Sequence, residues 1–184
     1  MSSTLKELTV QRPTTEDLIK AIDSIKTAEP RIAAILGATF LEDVTHLAIL
    51  TKTVDLSKSD DDRLFVGSAP LSSFSAKITV AFALGLIGPM ARHDLDRIRE
   101  IRNAFAHAKI DISFDTPAIV NIVEGLHFRA LASEWGTLNT QQKFSIVVRL
   151  LQIYLIGTWS PSGAEMKVIR DFDPPLPLRQ VPSE

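Results

Sequence analysis

The 184-residue sequence has no cysteine at all. Disulfides, thiolate nucleophiles and cysteine-ligated metals are therefore excluded, which fits a reducing compartment and an expected cytoplasmic location. Excess positive charge is missing too. Twenty Lys and Arg stand against 22 Asp and Glu, a formal net charge of −2. Nothing draws the whole chain toward nucleic acid, so any DNA or RNA contact needs a local basic patch or a partner. Long apolar runs are also lacking. The greasiest, IVVRLLQIYLI over 146–156, is too short to span a bilayer and carries Arg149 and Gln152. The opening MSSTLKELTVQRP has no apolar core of a secretory signal. No membrane association is expected.

Neither a glycine-rich phosphate loop, nor a G-x-S-x-G elbow, nor a kinase element is found. None of His46, His93 and His127 is followed four residues on by a carboxylate, the i, i+4 pairing that would suggest a metal. No metal and no cofactor are expected. The acidic run Asp60-Asp61-Asp62 lacks the alternating ligands and closing glutamate of a calcium loop, and reads as a solvated loop.

What is present is helical periodicity. Apolar residues make up 45% of the chain and charged residues 23%, the balance of one folded domain. Ile19, Ile22 and Ile25 mark a helix that starts after Pro13. Pro30 opens a longer one, which runs to about Val54. The stretch 55–70, rich in Ser, Asp, Gly and Pro, reads as a loop. Ser72 or Ser73 caps a helix that Gly88-Pro89 stops, and Pro89 starts another through about Ala108. Asp115 or Thr116 caps PAIVNIVEGL, and Asn139 or Thr140 caps the helix of 140–157. About six helices with short connectors predict an all-α, single-domain antiparallel bundle over 1–170, followed by a proline-rich C-terminal tail over 171–184. The 140–157 helix is apolar around most of its circumference. It is therefore central or covered by a second subunit, and a homodimer is expected.

On the helix over 89–108, Leu95, Ile98, Ile101, Phe105 and Ala108 gather into a core stripe, with Asp96, Arg99, Asn103 and His107 opposite. Arg102 falls at the boundary. On the helix after Pro30, Asp43 lies among Ile32, Ile35, Leu36, Thr39, Phe40, Leu47 and Leu50. A carboxylate on an apolar face needs a partner. Arg102 is the partner expected for Asp43, with Arg99 second and His46 joining them, in a structural ion pair. The competing reading of the same residues is a nucleolytic site. There His107 acts as acid or base beside a reactive hydroxyl, and Arg102 and Asn103 stabilise the phosphorane. Five residues separate Arg102 from His107, which puts them about 140° apart on a regular helix. They converge only if the helix end unwinds or if a second subunit completes the site.

The segments ILGATFLEDVTHLAIL, LFVGSAPLSSFSAKITVAFALGLIGPMARHDLDRIREIRNAFAHA and SFDTPAI, in that order over about 30–126, resemble the mannitol operon repressor family of bacterial helical regulators. That resemblance implies a cytoplasmic protein in the control of sugar-operon transcription; with no convergent catalytic cluster within one chain, a non-catalytic regulator acting mainly through protein contacts is expected. The piece RNAFAH is also similar to the Arg-x4-6-His motif of the HEPN superfamily, whose helical bundles dimerise and include metal-independent ribonucleases. Arg102, Asn103 and His107 match that motif, so the alternative implied is an HEPN-type endoribonuclease with RNA as substrate. Direct DNA reading has little support. The nearest helix-turn-helix candidate is broken by Gly88-Pro89, and its second helix mixes Asp94, Asp96 and Glu100 with its arginines.

Overall fold

Glu29 and Pro30 set the start of α1 (Pro30–Leu50). The Glu29 carboxylate accepts the free Ile32 N–H at 3.2 Å, and proline at the first position loses no hydrogen bond. The side of α1 that enters the core is its small side: Ala33, Ala34, Gly37, Ala38, Leu41, Val44, Ala48 and Ile49 are buried. Larger apolar residues lie on the other side, where Ile32 is 51% exposed. Small residues let a neighbour come close. A β-carbon added at Gly37 would sit 3.0 Å from a ring carbon of Phe144. α1 is long and apolar enough, by length and composition, to cross a membrane, and half of its most apolar window is buried inside the protein. Its place at the centre of a bundle gives that composition a packing reason.

The computed structural model describes residues 24–160 and 164–179. The predicted helix from Pro13 onward falls mainly outside them. Among the described residues, six further helices follow α1: α2 (Lys58–Phe65), α3 (Phe74–Ala83), α4 (Pro89–His107), α5 (Pro117–Glu124), α6 (Thr140–Ile156) and α7 (Ala164–Phe172). Two short 3-10 turns, His127–Leu131 and Trp135–Thr137, separate α5 from α6. The described residues contain no strand, so the fold is an all-α bundle, as the periodicity predicts. α1 packs on α6, α4 and α3, and α6 also touches α5, α7 and the first 3-10 turn. The central position expected for α6 follows from its buried Phe144, Val147, Val148, Leu151, Tyr154 and Leu155. It starts with a capping box, Asn139 accepting from Gln142 N–H while the Gln142 side chain accepts from Asn139 N–H.

Two expectations about connectors need correction. Residues 58–65 are a helix, not a loop. Ser57 caps it through Asp60 N–H, and Asp60 and Asp61 lie in its first turn, where the helix dipole favours negative charge. Buried Phe65 anchors its far end. The boundary drawn at residue 170 also falls inside α7. After α7, Asp173 is buried and Leu178 packs beside Gly85. Gly85 takes φ +63°, a left-handed conformation that ends α3 earlier than its apolar pattern suggests.

Candidate functional site

α4 carries most of the polar side chains of interest. Its ladder stays closed to the end, with Ala108 N–H donating to Ala104 C=O at 2.9 Å. The helix therefore does not unwind before His107. Arg102 is partly buried and donates from Nη1 to Asn103 Oδ1 at 3.0 Å. His107 is exposed on the last turn, about 140° round the axis from Arg102. Arg102 and Asn103 thus meet, whereas His107 does not join them within the chain.

The expected ion pair of Asp43 with Arg102 is not formed. Asp43 lies on the side of α1 opposite the small buried residues that face α4. Its charged neighbours are Glu42 and Lys77. Partial burial pushes the Asp43 carboxyl above its ordinary value, Glu42 adds to the rise, and Lys77 opposes it. Lys77 itself is buried and pairs at 2.5 Å with Glu42, linking α3 to α1. His46 also goes elsewhere. Its Nε2 lies 3.3 Å from Asp61 Oδ1 and its ring stacks on Phe65 at 3.9 Å between centroids, so it fastens α2 to α1.

A cluster that the sequence reading missed lies nearer the start of α4. Asp94 has 0% exposure and falls four residues before Ile98 and seven before Ile101, on the core stripe. Its Oδ1 accepts His127 N–H and its Oδ2 accepts Phe128 N–H, both at 2.9 Å, so the carboxylate caps the first 3-10 turn. The imidazoles of His93 and His127 flank it. His93 Nδ1 is 2.9 Å from Asp94 Oδ1, His127 Nδ1 is 3.1 Å from the same oxygen, and the two nitrogens are 3.0 Å apart. The rings meet edge to face with centroids 4.4 Å apart. Thirty-four residues separate the two histidines, and they come from different elements, so no local spacing could reveal them. The available signal was Asp94 itself, an acid in register with the apolar stripe.

The start of α4 is held by a second carboxylate. Asp173 accepts Met90 N–H at 3.2 Å and Ala91 N–H at 2.7 Å. Tyr154 completes the lock: its hydroxyl accepts Gly88 N–H at 2.8 Å and donates to the Asp173 carbonyl at 2.7 Å. Arg170 lies over the Tyr154 ring at 4.5 Å and donates to Leu86 C=O at 3.0 Å. Burial, with the Asp173 charge adding to it, pushes the Tyr154 phenol up to about 12 against the opposing pull of Arg170 and the Gly88 hydrogen bond. Gly88 is required here, since an added β-carbon would collide with the Asp173 carboxylate.

The remaining arginines of α4 form no clean basic face. Arg97 pairs with Glu100 at 2.7 Å, Arg99 lies 3.5 Å from Asp96, and Arg92 sits over the Phe82 ring. A helix that reads DNA needs its cations directed at phosphates and bases. Here two of them are already matched by acids on the same helix.

The bundle resembles a chain of the X-ray structure of the MtlR-HPr complex from Escherichia coli. The TM-score is 0.58 at 17% identity, and the match covers 77% of this chain and 96% of that one. This protein has an MtlR-like fold. No family model matches the sequence, and no curated protein does. At 17% identity the likeness is one of architecture.

Proposed function

We propose that this protein is a transcription regulator of the MtlR kind, non-catalytic and cytoplasmic, which acts through protein contact. The observation that supports it most is the extent of the fold match, nearly the whole of a chain from the MtlR-HPr complex. HPr is the partner proposed for this chain, and a second copy of the chain is proposed as its other partner. Two features of α4 favour this over a role on nucleic acid. Its arginines are partly neutralised on their own helix, and Arg102 and His107 point apart.

The test uses the pure full-length protein in three arms: sedimentation with purified HPr, gel shift with promoter duplex, and incubation with mixed single-stranded RNA without metal. The expected result is a complex with HPr and neither a salt-sensitive shift nor cleavage. Tight, salt-sensitive DNA binding without HPr binding would replace the proposal with a direct repressor. RNA cleavage that His107→Ala abolishes in a folded protein would replace it with the HEPN-type ribonuclease using Arg102, Asn103 and His107.

A further inference from the structure

We propose that His93, Asp94 and His127 form a binding site for one divalent transition-metal ion, of which Zn2+ is the representative. The three ligand atoms, Nδ1 of each histidine and Oδ1 of the aspartate, make a nearly equilateral triangle with sides of 2.9, 3.0 and 3.1 Å. A metal with bonds of about 2.0–2.1 Å to nitrogen and oxygen sets neighbouring ligands about 2.9 Å apart in an octahedron and about 3.4 Å apart in a tetrahedron. The triangle matches one octahedral face, the two-histidine, one-carboxylate arrangement that leaves the remaining positions to water or an added ligand.

Hydrogen bonding alone accounts poorly for these three short edges. Each Nδ1 carries at most one proton. If both donate to Asp94 Oδ1, the 3.0 Å contact between the nitrogens has no proton to hold it and sets two N–H groups side by side. If one nitrogen donates to the other, one edge to the carboxylate loses its donor, unless the pair carries an extra proton. A cation in the triangle replaces the protons and satisfies all three atoms together.

The surroundings suit an ion. Asp94 is fixed by the two backbone N–H groups of His127 and Phe128, the kind of outer support that orients metal-ligating carboxylates. The imidazoles are 43% and 44% exposed, so an ion can enter from solvent without opening the core. With no cysteine in the chain, no thiolate competes. Bound there, the ion ties α4 to the 3-10 turn that leads toward α6. The site stands independently of the proposed regulatory function.

Zn2+ titrated into the metal-stripped full-length protein, in competition with a chelating dye, is the test, with thermal melting followed in parallel. One equivalent per chain and a raised melting temperature are expected. Affinity should fall at least tenfold in His93→Ala and in His127→Ala, both partly exposed positions that leave the Asp94 cap in place, and His107→Ala should bind as the parent does. Absence of saturable binding overturns the proposal. So does binding that survives unchanged in both histidine variants, because the ion would then sit elsewhere.

Discussion

Replacing Tyr154 by phenylalanine removes one oxygen that serves two buried backbone groups, the Gly88 N–H and the Asp173 carbonyl. A buried polar group left unsatisfied costs about 1–3 kcal/mol, so the pair amounts to about 2–4 kcal/mol after partial relaxation. For a chain of this size that is a fall in melting temperature of about 5–15 °C, read by circular dichroism. The phenol gives a second, independent signature. Its value is raised from 10.0 to about 12, so the folded state prefers the neutral form. The stability tied to that preference is whole below pH 10 and is lost as pH rises toward 12. Two units correspond to about 3 kcal/mol. The stability gap between the parent and Tyr154→Phe should therefore narrow across that alkaline window, mainly because the parent loses stability. A variant within about 0.5 kcal/mol of the parent at neutral pH, or a gap that stays constant from pH 9 to 12, would refute the reasoning.

Other consequences can be checked in the same way. Gly88→Ala should destabilise by about 1–3 kcal/mol because the new methyl displaces the Asp173 cap, and more than Gly37→Ala, whose contact is an aromatic side chain 3.0 Å away. Asp43→Asn should leave stability at neutral pH unchanged or raise it in chemical denaturation, since burial already disfavours the charged form; a large loss would mean that the carboxylate has a cationic partner after all. Glu124 accepts from Lys143 at 2.7 Å and from Trp135 at 2.9 Å, contacts that hold it below its ordinary value of 4.5. Its contribution should be present above that pH and fade as acid lowers the pH through its folded value, a slope that Glu124→Gln should lack. His107→Ala, at an exposed helix end, should change the melting midpoint by no more than a surface substitution does, about 0.5 kcal/mol.

Much of the fold could be read from spacing and caps. Pro30, Ser73, Pro89, Thr116 and Asn139 each stand at a helix start. α2 escaped notice because composition was weighed over its cap: Ser57 followed by Asp60 and Asp61 is a helix start, however polar the segment. α1 misled for a different reason. A helix apolar on every side has no single stripe, and its bulkiest side suggests a core face that the packing does not use. The tighter packing belongs to the alanines and Gly37, which let α6 come near, so Asp43 was set opposite the wrong helix. The cluster around Asp94 and the lock at Tyr154 join residues 19 to 83 positions apart, and such pairings depend on how helices stack. Within α4, the helical angle between Arg102 and His107 was legible in advance, and the closed ladder to Ala108 keeps it.

The most direct measurement is calorimetric titration of the pure full-length protein with HPr, its proposed partner, at physiological salt. Saturable binding at one HPr per chain, undiminished in Arg102→Ala, is the predicted outcome. No heat with HPr, together with RNA turnover that vanishes in Arg102→Ala while the variant melts as the parent does, would contradict the account and hand α4 back to catalysis.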